Sequence, residues 1–135
     1  MKNIIFTLLI LFVAMPAWSM DPSRAVNAII GEAEGESYIG KLAVACAIRN
    51  RGTLKGVYGE KAPRVTKQLY SAKVKADAQK AWKESEGQQS CQFIDGADHW
   101  EGTKFKTPSW AKDMKITATI GGQRFYRRMC KKSCY

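Results

Sequence analysis

Acid is scarce in this chain. Twelve Asp and Glu stand against twenty-two Lys and Arg, for a formal net charge of +10. Histidine is scarcer: His99 is the single one. There is no C-x-x-C pair, and of the four cysteines (Cys46, Cys91, Cys130, Cys134) only the last two are close, as Cys130-x3-Cys134. One histidine and cysteines so spaced argue against a zinc site, whose ligands arrive in closely spaced pairs. No metal and no cofactor is expected. Internal repeats and low-complexity segments are absent, so the chain reads as one domain with a modest core. Runs of like charge are nearly absent too: the lysines are scattered, and only Arg124, Arg127, Arg128, Lys131 and Lys132 cluster. A membrane-active or nucleic-acid-binding protein needs clustered cations on an amphipathic or aromatic-interleaved face. Neither function is expected here.

One long apolar stretch exists, residues 4–15, after Lys2 and before Pro16-Ala17-Trp18-Ser19. It is short for a membrane span, and the order of charge, apolar run and small residues is that of a secretory signal peptide. Cleavage after Ser19 is expected, leaving residues 20–135. Only Lys2 is lost with residues 1–19, so the charge falls from +10 to +9. An exported protein, in the periplasm or cell wall, meets anionic wall polymers, and positive charge raises the rate of that encounter. An even number of cysteines in such a chain suggests disulfides, with three possible connectivities for four cysteines. Cys46 also fits a buried free thiol, since it lies in an apolar helical stretch.

Asp21-Pro22 reads as a helix start, an N-cap acid followed by proline at the first helical position. Val26, Ile29, Ile30 and Ala33 follow at helical spacing, and Gly35 is a stop. Ser37 is positioned to cap a second helix with Ile39, Leu42, Ala43 and Cys46 on its buried face and Gly52 at its end. Residues 52–64 read as loop. A third helix is predicted from near Ser71 to Glu86, with Val74, Ala78, Ala81 and Trp82 on one face. Residues 87–108 read as loop. Ile116-Thr117-Ala118-Thr119-Ile120, Gly121-Gly122 and Gln123-Arg124-Phe125-Tyr126 form a predicted β-hairpin with a two-glycine turn. The class is α+β, helices first and a hairpin late.

Against that background of scarce acid, residues 31–36 read GEAEGE, three carboxylates within five positions where the first helix ends. Acids at helix ends are commonly solvated, and Glu36 suits the positive N-terminus of the next helix. A carboxyl with one side against packed helices has another use. Partial burial without a cation raises a carboxyl's pKa and keeps its proton available near neutrality. Glycoside cleavage requires such a proton for the leaving oxygen. Sugar-binding clefts also use aromatic rings against apolar C–H faces. Trp100 and Trp110 in loop-like sequence are candidates, as are Tyr38 and the sole histidine, His99. Phe125 and Tyr126 alternate on the hairpin, so one faces the core and the other the cleft. Asn50 lies near a helix end, where it serves as a cap or a substrate contact.

The stretch AVNAIIGEAEGESYIGKLAVACAIRNRG resembles the start of the SleB-like cell wall hydrolases, the spore-cortex-lytic enzymes. Gly31-Glu32-Ala33-x-Gly35-Glu36, Gly40, Ala43-Val44-Ala45 and Asn50-Arg51 fill that family's pattern. Gly96-Ala97-Asp98-His99-Trp100, Pro108-Ser109-Trp110-Ala111 and Ile120-Gly121-Gly122-Gln123-Arg124-Phe125-Tyr126 are similar to its remaining motifs. The resemblance spans nearly all of residues 20–135. It implies a lysozyme-like fold with the hairpin flanking the cleft. It also implies cleavage of peptidoglycan between N-acetylmuramic acid and N-acetylglucosamine, as a lytic transglycosylase giving 1,6-anhydro ends. The implied catalytic acid is Glu32. Glu34 falls on a variable position. The candidate substrate contacts are Glu36, Tyr38, His99, Trp100, Trp110 and Tyr126. Gln123 departs from the pattern, standing where a histidine is expected. A transglycosylase needs one carboxyl, acting first as acid and then as base. A water-using muramidase more often needs a second, for which Glu34, Glu36, Asp98 and Glu101 are available. A catalytically silent wall-binding protein on the same fold is the other alternative, and it would not need Glu32. The expected partner is peptidoglycan, bound by a monomer without nucleic acid, with membrane contact limited to the signal peptide.

Overall fold

The computed structural model describes residues 20–129. The expected signal peptide, and Cys130 and Cys134, lie outside them. Helix α1 spans Pro22–Ala33. Asp21 starts it as the sequence predicts: its carboxylate accepts the Ser23 N–H at 2.9 Å, with Pro22 in the first helical position. Ala25, Val26, Ala28, Ile29, Ile30 and Ala33 are all buried. The chain then turns through Glu34 and Gly35, held by the Glu36 N–H on the Ala33 carbonyl at 3.1 Å. Gly35 is in this turn without a left-handed conformation.

Helix α2, Tyr38–Arg51, starts after Ser37, which holds the N-cap position without a side-chain capping hydrogen bond, and ends at Gly52, which is left-handed with φ 70°. The expected single buried face of this helix was too narrow. Every residue from Gly40 to Ile48 is buried, while Ile39 in its first turn is 46% exposed. The reason is its place in the fold, with α1, α4, the residues 88–94 and the sheet all packed around it. Helix α3, Pro63–Thr66, is a single turn that begins at a proline. Helix α4, Ala72–Glu84, is capped by Ser71 Oγ on the Val74 N–H and buries Ala78, Ala81 and Trp82 on its predicted face.

The segments predicted as loop hold short elements. Gly59–Lys61 and Gln88–Ile94 are 3₁₀ turns, and a third, Ser109–Asp113, follows directly after residue 108. Strand β1, His99–Gly102, lies within the second of those segments. Strands β2, Met114–Ile120, and β3, Gln123–Arg128, form the predicted hairpin, with Gly121 at φ 56° in its turn. The antiparallel sheet is ordered β1-β3-β2. His99 faces Tyr126 across one ladder and Ile116 faces Tyr126 across the other, with a register shift between Ile116 and Ala118. The central position of β3 corrects the reading of its alternation. Phe125 and Tyr126 are both buried, Phe125 in the helical core and Tyr126 on the other sheet face under Trp110.

Cys46 of α2 is disulfide-bonded to Cys91, with Cα atoms 5.5 Å apart, which resolves this part of the open connectivity and excludes the free-thiol reading of Cys46. No helix among the described residues is long and apolar enough to cross a membrane.

Candidate active site

Glu32 occupies the last turn of α1, and the flanking glycines explain its setting. A Cβ on Gly31 would lie 1.9 Å from the Gly59 carbonyl oxygen, and one on Gly59 would lie 2.7 Å from Glu32 Cγ. Only two glycines allow the Gly59–Lys61 turn to sit this close to the helix. The approach carries the Gly59 N–H to Glu32 Oε1, at 2.8 Å. The indole Nε1–H of Trp100 donates to Oε2 at 3.3 Å. The Gln123 amide donates to the Glu32 main-chain carbonyl at 2.6 Å. Glu32 is thus held from three elements: a helix-packed turn, β1 and β3.

The half-buried Glu32 lines an open cleft of about 690 Å³. One wall is the segment after α2, with Gly56, Val57 and Tyr58. The opposite wall is β1, with His99, Trp100 and Glu101. Phe105, Lys106, Pro108 and Trp110 complete the rim. It is therefore β1 and the chain following it that face the cleft, and the hairpin stands behind them. His99 is fixed through Nδ1 on the Asp98 carboxylate at 2.8 Å. Its ring stacks at a tilt on Trp110, with centroids 5.3 Å apart, and Trp110 meets Tyr126 edge-on at the same distance.

The structure brings Glu32, His99, Trp100 and Trp110 together on this surface. It does not bring Glu36, Tyr38 or Tyr126 to the cleft wall. Glu36 accepts the Gly122 N–H with both carboxylate oxygens, at 3.2 Å each, and so ties the turn after α1 to the hairpin turn. Tyr38 hydrogen-bonds Glu84 of α4, and burial, then that carboxylate, pushes its pKa up. The Tyr126 hydroxyl donates to Glu101, and burial, followed by that bond, pushes its pKa to about 12. Asn50 donates to the Ala97 carbonyl at 2.8 Å, a brace between α2 and the start of β1.

The remaining acids near the site are engaged. Glu34 pairs with Arg64, and Glu101 pairs with Arg124 at 2.9 Å as well as accepting from Tyr126. Among the described residues no group of three or more His, Cys, Asp or Glu is arranged to hold a metal. Among the lining residues not singled out as site candidates from sequence are two cations, Arg51 and Lys106, and two aromatics, Tyr58 and Phe105. The signal for the two aromatics was present. Tyr58 and Phe105 are large aromatics in glycine-flanked segments, and they are 72% and 61% exposed.

No family model matches the chain, and no curated protein matches it. Two solved structures are similar. One is the catalytic domain of the germination-specific lytic transglycosylase SleB from Bacillus anthracis, with a TM-score of 0.60 and 23% identity, covering 84% of this chain and 100% of that one. The other is the catalytic domain of the Bacillus cereus SleB protein, with a TM-score of 0.53 and 25% identity, covering 78% of this chain and 88% of that one. This chain has the fold of the SleB catalytic domain. The resemblance read from the sequence is thus matched at the level of the fold, and Glu32 of GEAEGE lines the cleft described above.

Proposed function

We propose that this protein is an exported enzyme with a lysozyme-like fold. It cleaves the glycan strand of peptidoglycan between N-acetylmuramic acid and N-acetylglucosamine. The observation that carries the reading is that, of the two carboxyls lining a cleft walled by aromatic rings, Glu101 is paired with Arg124 whereas Glu32 has no cationic partner among the described residues. The likeness to SleB, described as a lytic transglycosylase, supports the same substrate class.

The state of the neighbouring acids favours transglycosylation over hydrolysis. Glu34, Glu36, Asp98 and Glu101 each have a partner in the fold, which argues against a second carboxylate activating water. With one acid, Glu32 protonates the glycosidic oxygen as the bond to the anomeric carbon breaks. The resulting carboxylate takes the proton from the C6 hydroxyl of the same sugar, whose oxygen closes a 1,6-anhydro ring on that carbon. The proton given in the first step is recovered in the second. The Gly59 N–H and Trp100 indole N–H hold the carboxyl in place throughout. His99, Trp100 and Trp110 offer surfaces for the sugar rings.

On this reading residues 1–19 are a removed leader and residues 20–135 the catalytic domain, acting as a monomer in the periplasm or cell wall. The Cys46–Cys91 disulfide supports an oxidising compartment. Digestion of purified sacculi with residues 20–135, followed by mass spectrometry, tests the function. Anhydro-ended muropeptides, one water lighter than hydrolysis products, are expected. Reducing ends would make the protein a hydrolase, and intact strands would overturn the reading.

A further inference from the structure

Two basic side chains line the cleft, Arg51 and Lys106. Arg51 is half-buried at the end of α2. Its Nη2 donates to the Lys55 carbonyl at 2.8 Å and its Nη1 to the Asp98 carbonyl at 3.4 Å. Both partners are neutral. Among the described residues no carboxylate pairs with Arg51 or with Lys106, whereas Arg24, Arg49, Arg64, Arg124 and Arg127 all have acidic partners. Two main-chain contacts leave most of the guanidinium's N–H donors unused.

Gly56 adds a second observation. It lines the same wall in the left-handed region, with φ 78°, and a Cβ there would lie 2.9 Å from Arg51 Nη2. The glycine leaves the guanidinium uncovered on that side. A half-buried cation without a counter-charge is poorly compensated. It becomes well compensated when a ligand brings a carboxylate, whose two oxygens fit the guanidinium fork. Neutral sugar hydroxyls do not need such a cation. Peptidoglycan offers carboxylates on its stem peptides, and on the lactyl arm of those muramic sugars that carry no stem peptide.

We propose that Arg51, assisted by Lys106, binds a substrate carboxylate, so that the cleft selects glycan strands whose carboxylates are free. The substrate class rests on the function proposed above, and the experiment separates the two claims. Four substrates are compared at near-physiological salt: intact sacculi, sacculi with their carboxylates amidated, strands stripped of stem peptides, and stripped strands then amidated. Cleavage is read as kcat/KM, and binding is read by cosedimentation with the Glu32→Gln variant.

Amidation of intact sacculi is expected to lower wild-type kcat/KM and binding roughly 10-fold or more, as expected for loss of a charge-assisted contact. Stripping frees the lactyl carboxylates that held the stem peptides: stripped strands that are sensitive to amidation show that the site accepts the lactyl carboxylate, and stripped strands that are insensitive assign the effect in intact sacculi to the stem peptide. Arg51→Gln is expected to act on intact sacculi as slowly as the wild type acts on amidated ones, and to be insensitive to amidation. Lys83→Gln, on α4 away from the cleft, removes the same charge and is expected to retain full sensitivity, which separates recognition from bulk attraction. Because Arg51 also braces the chain near Lys55, the melting temperature of its variant is checked, and Lys106→Gln, which breaks no side-chain hydrogen bond or ion pair among the described residues, supplies an independent variant with reduced sensitivity. Equal cleavage and binding of amidated and intact sacculi would overturn this inference while leaving glycan cleavage in place. Failure to cleave any strand would overturn the proposed function, and the binding comparison would then decide the carboxylate site by itself.

Discussion

Two glycines of GEAEGE have opposite roles, although nothing in the string distinguishes them. Gly31 lies against main-chain atoms of Gly59, which cannot move aside as a flexible side chain would. Gly31→Ala is expected to cost about 1–3 kcal/mol as overpacking. It is also expected to lift the Gly59 N–H from Glu32, so that activity falls further than stability. Gly35 has nothing within 4 Å of an added Cβ and no left-handed φ. Gly35→Ala should leave sacculus cleavage unchanged and stability unchanged or raised by up to about 1 kcal/mol, through the unfolded chain. Thermal melts and a turbidity assay on sacculi read both variants, and equal behaviour of the two would refute the Gly31–Gly59 argument. The carboxylates divide in the same way. Glu32→Gln keeps the size and the contact with Gly59 but delivers no proton, so at least a ~100-fold loss of activity is expected in a normally folded protein. Glu34→Gln, which only loosens a surface pair with Arg64, should stay near wild type. A Glu32 variant of full activity would remove the mechanism.

At the scale of elements, helices α1, α2 and α4 and the β2–β3 hairpin were legible, because each combines a periodic apolar pattern with end signals: Asp21-Pro22, Ser37 and Gly52, Ser71, and Gly121-Gly122. Strand β1 was not. Its four residues, His99-Trp100-Glu101-Gly102, are all half-buried and show no alternation, and they become a strand by pairing with β3. The 3₁₀ turn at Gly59–Lys61 was hidden for a similar reason, since contact with α1 rather than local propensity sets it. The cleft inherits this limit. Trp100, His99 and Trp110 were found by residue type and Glu32 through the resemblance to the SleB-like pattern, whereas Arg51 and Tyr58 enter through a wall that only tertiary packing builds. That wall has an electrostatic brace. Arg24 of α1 donates through Nε and Nη2 to both oxygens of Glu60, at 2.9 and 2.7 Å, beside the Gly59 that holds Glu32. The bonds from Arg24 hold the Glu60 pKa below 4.5. A folded-state value below the unfolded one means that the stabilisation is present above about pH 4.5 and is lost as pH falls through the folded pKa. Melting curves from pH 7 to 3 should show wild type above Arg24→Gln at neutral pH and the two converging in acid. A constant gap would show that the pair is not the source.

For the molecule as a whole, the disulfide joins the most enclosed helix to the segment leading into the cleft. Cys46 is fully buried in α2, and Cys91 lies in the turn Gln88–Ile94, which runs to β1 with His99 and Trp100. The bond spans a sequence separation of 45 residues, and closing a loop of that size stabilises by roughly 4 kcal/mol in the chain-entropy account. For a domain of this length that corresponds to a fall in melting temperature on the order of 10 °C or more when the bond is absent. The Cys46→Ala/Cys91→Ala double variant should show that loss. Below its own melting point it should keep most of its activity, because neither sulfur lines the cleft. Burial adds a kinetic consequence. A reductant reaches Cys46 only when α2 and the turn separate, so reduction of the folded protein should proceed by attack on the half-buried Cys91 sulfur and should accelerate with denaturant-induced opening, which exposes both. Alkylation with mass analysis of the fragments holding residues 46 and 91 follows it directly. Rapid labelling of residue 46 in the folded, unreduced protein would mean that the pair is not bonded in solution, and the argument for an oxidising compartment would lose its structural support.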